Sequence, residues 1–123
     1  MSSQKSERNF LVLRLAEGPL TDDPALALKR MVAELSERLD QHNAFEKGHF
    51  VVWKPGLKNR RHPDYGEPAI VRSVLPSPTF DPSENNAASP YFQEPLNLVI
   101  AYFLEDDLLE YRVDGRRFEH IHD

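Results

Sequence analysis

From Gly48 onward, the apolar residues of this chain occur in short runs that are rich in β-branched and aromatic residues and show no helical period. Proline, glycine and small polar residues separate the runs, which is the pattern of strands joined by turns and loops. The predicted strands cover residues 49–54, 69–75, 96–104, 108–113 and 116–121. Strands joined by turns pair in antiparallel fashion, so this part is expected to form one antiparallel sheet or a small barrel.

The residues between the later strands predict two short turns. Glu105-Asp106-Asp107 is expected to reverse the chain after the strand at 96–104. Asp114-Gly115 is typical of a two-residue hairpin, because both turn positions of that type need a positive φ. The last strand, 116–121, is therefore expected to follow a hairpin turn from 108–113.

A long loop over residues 76–95 contains five prolines and interrupts the strands. A loop of this length inside a compact domain is uncommon and is usually functional or mobile. Its aromatic pair, Tyr91-Phe92, is expected either to clip the loop onto the rest of the domain or to line a groove.

One helix is predicted before the strands. Thr21, Asp22 or Asp23 can cap its start, and Pro24 suits the first helical position because its missing N–H would be unpaired there. The apolar residues of this segment recur in steps of four, three and four, and they are Leu28, Val32, Leu35 and Leu39. We expect a helix over residues 24–43 that packs this stripe on the sheet of a monomer, with a helix-mediated homodimer as the alternative.

A chain of 123 residues is within the usual size range of one domain. Residues 1–9 are expected to form a flexible tail, and residues 10–123 a single domain that begins with a short apolar run at 10–15. The absence of cysteine excludes disulfides, thiolate zinc sites and a cysteine nucleophile. No apolar run is long enough to span a bilayer and the N-terminus lacks the pattern of a signal peptide, so a cytoplasmic protein without a membrane partner is expected.

The segment 48–56, Gly-His-Phe-Val-Val-Trp-Lys-Pro-Gly, resembles the first strand of bacterial SH3-like barrels, and residues 68–75 lie where such barrels return. The resemblance implies an α+β fold, in which the N-terminal helix packs on a small antiparallel, SH3-like β-barrel over residues 48–121. In place of the compact glycine-rich second turn of the nucleic-acid-binding barrels, this chain has a long basic loop. The longer string formed by residues 53–59, 91–95 and 116–118 is similar to a small uncharacterised bacterial protein family, which implies no activity.

Charge is distributed unevenly along the chain. It has 20 acidic and 15 basic residues and a formal net charge of −5, yet residues 48–73 carry a net charge of +3. The basic residues concentrated there are Lys54, Lys58, Arg60, Arg61 and His62, with Trp53 before them and Tyr65 after them. Arg116 and Arg117 join the same surface if the last strand lies beside the first. These nine residues are the candidate binding site.

We expect this basic-aromatic loop to bind an acidic partner protein, which makes the chain a non-catalytic interaction or adaptor module. The alternative is single-stranded nucleic acid, held by phosphate contacts and by stacking of bases on Trp53. The negative net charge disfavours that alternative. A third interpretation is a solvated loop whose charges balance the acidic C-terminal half.

Motifs for catalysis or metal binding are weak in this sequence. It has no glycine-rich phosphate loop, no nucleophile elbow and no His-Glu-x-x-His motif. His120 and His122 would share one face of a strand, but this spacing is not specific for a metal, and no cofactor or metal is predicted. A small enzyme with an acid–base pair, such as His62 with Asp64 or Glu67, is the least favoured hypothesis.

Overall fold

The computed structural model of the protein describes residues 23–121. Within them it has one helix, α1 (Pro24–Asp40), and five strands, β1 (Phe50–Trp53), β2 (Ala69–Thr79), β3 (Leu96–Leu104), β4 (Asp107–Val113) and β5 (Phe118–His120), with a short 3-10 helix, Gly115–Arg117, before β5. The α+β class expected from the sequence is therefore confirmed. The expected tail at 1–9, the apolar run at 10–15, the caps Thr21 and Asp22, and His122 lie outside the described residues.

All five strands belong to one antiparallel sheet, in the order β4-β3-β2-β1-β5. β1 lies between β2 and β5, and its registers are fixed by the pairs Phe50–Ile70 and Trp53–Phe118. β4 and β5 are the two edges, and no pairing joins them within residues 23–121, so the sheet is open rather than closed into a barrel. The reason lies in β2, which pairs briefly with β1 and then along β3 through two register shifts, and which therefore bends without bringing the edges together.

The expected turn at Glu105-Asp106 is confirmed, whereas the expected hairpin at Asp114-Gly115 is wrong. Glu105 has a φ of 50° and Asp106 a φ of 69°, as the tight turn between β3 and β4 requires. The Asp114 carboxylate instead accepts a hydrogen bond from the Arg116 backbone N–H at 3.0 Å and caps the 3-10 helix. The chain then crosses to β1 instead of returning along β4.

The N-terminal cap of α1 is confirmed at one of its expected positions. The Asp23 carboxylate accepts a hydrogen bond from the Ala25 N–H at 3.0 Å, and Pro24 is the first helical residue. The helix ends at Asp40, slightly earlier than the expected residue 43, because the backbone is already extended at Gln41.

The apolar stripe of α1 is covered only in its C-terminal half. Leu35 and Leu39 are half-buried, whereas Leu28 is 50% and Val32 is 67% exposed. A Cβ atom added to Gly56 would lie 2.5 Å from Leu35 Cδ2, so the turn after β1 passes directly against the helix. Only the C-terminal half of this stripe is therefore covered, which corrects the expectation that the whole stripe packs on the sheet; near the start of the helix the buried residue is Ala27 instead.

The core lies on one face of the sheet and receives side chains from every strand. Its buried members are Val51, Trp53, Ala69, Val71, Leu98, Ile100, Tyr102, Val113 and Phe118. The rings of Trp53 and Phe118 stack with their centroids 4.2 Å apart, which joins β1 to β5 through the core. Because alternate residues of a strand point to opposite faces, the short strand β1 buries Val51 and Trp53 and exposes Phe50.

Candidate functional site

Lys54, at the end of β1, is a buried structural residue rather than an exposed cation. Its ammonium group donates hydrogen bonds to the backbone carbonyls of Arg38 and Gln41, each at 2.7 Å. The last carbonyls of a helix have no partner within the helix, so Lys54 supplies donors that α1 needs at its C-terminus. Desolvation by burial is the main cause that lowers the pKa of Lys54. The structure therefore places Lys54 inside the domain, away from any partner.

Trp53 and Tyr65, the aromatic residues at the ends of the expected binding loop, are also occupied internally. Trp53 is buried, and its indole N–H donates to the Pro63 carbonyl at 2.6 Å. Tyr65 is half-buried, and its hydroxyl accepts a hydrogen bond from the Lys58 backbone N–H at 3.2 Å. In this conformation Trp53 has no exposed ring face on which a base could stack, because Phe118 and the core cover it.

Glu94, at the end of the long loop, binds two of the expected site residues, Arg60 and Arg117. Its carboxylate is buried and accepts hydrogen bonds from the Arg60 guanidinium and the Asn59 amide, both at 2.5 Å. The Nε atom of Arg117 lies 3.3 Å from Glu94 Oε2. The Arg60 guanidinium also lies 4.0 Å from the centre of the Tyr91 ring, so Tyr91 helps to clip the loop 76–95 onto the domain.

The arginines before β5 lie beside β1, which is the condition under which they were expected to join the loop surface, but their side chains bind other residues there. The backbone carbonyl of Arg117 accepts from the Lys54 N–H at 2.8 Å, and its guanidinium donates to the Leu57 carbonyl at 3.1 Å. Arg116 binds the buried carboxylate of Asp114 through two nitrogens, at distances from 2.8 to 3.2 Å. The hydrogen bond with Asp114 is the main cause that raises the pKa of Arg116.

Lys58 and His62 complete the set of expected site residues. Lys58 is buried, and its ammonium lies 3.8 Å from an Asp64 carboxylate oxygen and 5.9 Å from the centre of the Tyr65 ring. His62 is half-buried and stacks on Tyr102. No hydrogen bond within residues 23–121 joins His62 to Asp64 or Glu67, and the Glu67 carboxylate instead accepts from the Asp64 N–H at 2.8 Å. The acid–base pair of the enzyme hypothesis is therefore not assembled here.

One cavity of about 470 Å³ opens beside this region. Three of the expected site residues, Arg60, Arg61 and His62, line it together with residues that were not expected there. It lies between the basic loop, the segment after β2 and the paired strands β3 and β4. Its cationic and aromatic lining residues are Arg60, Arg61, Arg112, His62, Phe80, Tyr102 and Tyr111. We call this cavity the cationic–aromatic groove. The tight turn at Glu105-Asp106 was the available signal, because it fixes the register that makes Tyr102 and Tyr111 diagonal neighbours.

Two of the arginines that line the groove are not neutralised by an ion pair among residues 23–121. Arg61 and Arg112 are exposed, and neither forms an ion pair within the described part of the chain. The Asp81 carboxylate also lines the groove, but it accepts hydrogen bonds from the Ser83 hydroxyl at 2.7 Å and the Ser83 N–H at 2.9 Å. These hydrogen bonds are the main cause that lowers the pKa of Asp81. The groove therefore offers two available guanidinium groups.

Tyr102 is the most unusual group in the groove. Its side chain is only 3% exposed, and its ring stacks on Tyr111 with the centroids 5.6 Å apart. Its hydroxyl has no hydrogen-bond partner among residues 23–121, although buried polar groups are almost always paired. Burial, reinforced by the nearby Tyr111 side chain, raises the pKa of Tyr102 to about 12, so the hydroxyl keeps its proton and remains a donor.

A second, smaller groove of about 240 Å³ lies beside the start of the 3-10 helix. The charged residues that line it, Asp114 and Arg116, are already paired with each other. It therefore offers no available charge comparable to that of Arg61 and Arg112.

No protein-family model, curated protein or solved structure matches this chain. The groove is therefore the feature from which a function can be inferred. Residues 23–121 include no helix with the length and apolar character needed to cross a membrane. Across the same residues, no group of three or more His, Asp and Glu side chains is placed to hold a metal ion.

Proposed function

We propose that this protein is a non-catalytic interaction module that binds an acidic segment of a partner protein in the cationic–aromatic groove. The observation that carries the proposal is the pair of exposed arginines, Arg61 and Arg112, at a cavity lined by aromatic rings. Arg61 is one of the residues expected to bind such a partner. Arg112 and the aromatic residues of the groove complete the proposed binding site, because several of the expected loop residues are buried or paired inside the domain.

The chemistry of these side chains suits an acidic peptide. A guanidinium group presents a planar set of donors that matches a carboxylate in a two-pronged hydrogen bond. Phe80 is 53% and Tyr111 is 49% exposed, so apolar area is available beside the charges. Arginine and large aromatic residues are the side chains that most often dominate protein–protein interfaces. The groove thus combines neutralisation of carboxylates with burial of apolar side chains from the same segment.

Single-stranded nucleic acid is the second candidate, because the exposed ring of Tyr111 lies next to Arg112 and could stack a base. The surroundings favour a short acidic peptide instead. The chain has a net charge of −5, and the turn at one end of the β3–β4 pair carries Glu105, Asp106 and Asp107, while the groove lies toward the other end. A long phosphate backbone would meet these carboxylates, whereas a short peptide can stay within the groove.

Binding to two probe pools tests the proposal. The first pool contains fluorescent peptides in which glutamate and aspartate alternate with aromatic residues, and the second contains the same peptides with glutamine and asparagine in place of the acids. We expect binding of the acidic pool only, and a loss of at least about tenfold in affinity when Arg61 and Arg112 are both changed to alanine. The matched control changes Lys29 and Arg30, two exposed cations of α1, to alanine and should leave affinity unchanged.

Two results would contradict the proposal. Equal binding of the acidic and neutral pools would show that the guanidinium groups do not select carboxylates. Tighter binding of mixed-sequence single-stranded DNA than of the acidic peptides, lost in the same double variant, would favour the nucleic-acid candidate.

We also propose an SH3-like arrangement of the strands, a cytoplasmic location and a monomeric state. The position of β5 beside β1 supports an SH3-like roll, since it brings the last strand of the meander next to the first. The absence of cysteine is compatible with a cytoplasmic protein. Light scattering of the purified chain distinguishes a monomer from a dimer formed through the exposed residues of α1, Leu28 and Val32.

A further inference from the structure

The Tyr102 hydroxyl is a buried donor for which the described residues supply no acceptor. It lies in the cationic–aromatic groove, and its side chain is far less exposed than those of Phe80 and Tyr111 at the same cavity. Leu96 and Val113, the other buried lining residues, are apolar and offer no side-chain acceptor. The hydroxyl is therefore buried among apolar lining residues, while Arg61 and Arg112, which line the same cavity, are exposed.

We propose that Tyr102 forms the base of a carboxylate subsite in the groove, where its hydroxyl donates a hydrogen bond to a side-chain carboxylate of the bound segment while Arg61 and Arg112 neutralise the charge. This inference rests on the proposed function and adds one specific requirement to it. The bound segment must place at least one aspartate or glutamate side chain into the groove, in addition to any acidic residues that remain at the surface.

Three observations support a carboxylate as the occupant. The hydroxyl keeps its proton up to strongly alkaline pH, since burial raises its pKa to about 12, so it is available there as a donor to an acceptor atom such as a carboxylate oxygen. Asp81, the carboxylate that lines the groove, is already held by Ser83. An unpaired buried donor costs free energy in the folded state, and a carboxylate oxygen from a ligand would remove that cost.

The neighbouring Tyr111 hydroxyl is the competing explanation. Interaction with the Tyr111 side chain, and to a smaller extent with the Glu67 carboxylate, contributes to the raised pKa of Tyr102. The Tyr102 hydroxyl nevertheless meets no partner among residues 23–121 in full hydrogen-bond geometry. If the two tyrosine hydroxyl groups were partners, removing either one should destabilise the fold. This difference makes the proposal testable through stability as well as through binding.

The experiment compares Tyr102→Phe with Tyr111→Phe, using the glutamate–aromatic peptides and their glutamine counterparts as probes. We expect Tyr102→Phe to weaken binding of the glutamate peptides about tenfold, the effect of losing one hydrogen bond to a charged group. Binding of the glutamine peptides should change little. The midpoint of urea unfolding should not fall in Tyr102→Phe, because the hydroxyl it removes has no internal partner.

The outcomes separate this inference from the proposed function. If the double arginine variant loses binding while Tyr102→Phe keeps it, the carboxylate subsite is refuted and the acidic-peptide function stands. If neither variant changes binding of the glutamate peptides, both are refuted. If Tyr102→Phe unfolds or loses stability, the hydroxyl has an internal partner and the subsite is likewise refuted.

Discussion

The guanidinium of Arg60 and the carboxylate of Glu94 lie 2.5 Å apart, although 34 positions separate the two residues in the chain. This ion pair ties the end of the long loop, just before β3, to the loop that follows β1. Glu94 is buried and also binds Asn59 and approaches Arg117, so it acts as the common anion for the basic region. Within the basic region, the positive charge of Arg60 is therefore neutralised by a carboxylate from the far end of the long loop, whereas that of Arg61 is not paired among residues 23–121.

Glu94→Ala should strongly destabilise the protein. The change leaves Arg60 and Arg117 without their shared carboxylate in a partly buried site, which typically costs about 3 kcal/mol when one partner of a buried ion pair is removed. The free energy of unfolding from urea titration measures the effect. Glu37→Ala removes an exposed carboxylate of α1 and is the matched control. A loss in Glu94→Ala no larger than in this control would mean that the network does not hold the loop.

Lys54→Met should weaken the attachment of α1. The substitution keeps an unbranched apolar side chain but removes both hydrogen bonds to the helix carbonyls of Arg38 and Gln41, at a cost of about 1–3 kcal/mol. Unfolding by urea, followed by circular dichroism, reports the loss. Lys29→Met makes the same chemical change at an exposed position of the helix. Equal stability of the two variants would rule out capping by Lys54.

The contact between Gly56 and Leu35 gives a third prediction with an internal control. Gly56 has a φ of 82° and Gly66 a φ of 79°, so alanine is strained by about 1–2 kcal/mol at either position. Only at Gly56 would the new Cβ meet a neighbour, Leu35 Cδ2 at 2.5 Å, whereas nothing lies within 4 Å of it at Gly66. Gly56→Ala should therefore lose about 1 kcal/mol more than Gly66→Ala in urea titration. Equal losses would show that the helix does not pack on this turn.

The succession of helix and strands could be predicted because its signals are local. The cap at Asp23, the β-branched and aromatic runs of the strands and the turn at Glu105-Asp106 all depend on residues close together in sequence. The partner of β5 could not be predicted in this way. Asp114-Gly115 has the residues of a hairpin turn, but the buried Asp114 carboxylate forms an ion pair with Arg116. The chain then continues to β5, which pairs with β1.

The candidate site also depends on contacts between distant residues, which local sequence signals do not predict. The basic residues are visible in the sequence, but whether each one is exposed depends on distant carboxylates. Arg60 is paired by Glu94 from another loop, whereas Arg61, its immediate neighbour, is left exposed. The sequence did not indicate Arg112 as a site residue. Arg112 reaches the same groove as Arg61 only because β4 pairs with β3. Sequence reasoning located the charged region, and long-range pairing decided which of its residues are available.

Stability at alkaline pH gives the last prediction, through Tyr102. Its pKa in the folded protein is about 12, raised from an ordinary value of 10.0 mainly by burial. Between these two pH values the folded state holds a proton that the unfolded chain has released. The free energy of unfolding therefore keeps its full contribution from Tyr102 below pH 10.0 and loses it as the pH rises toward about 12. Tyr102→Phe should lack this decline, while Tyr91→Phe should retain it. The test is the free energy of unfolding of each variant across this range, with tyrosinate absorbance recorded in parallel. The same pH dependence in Tyr102→Phe and the unsubstituted protein would show that Tyr102 ionises as an ordinary exposed tyrosine.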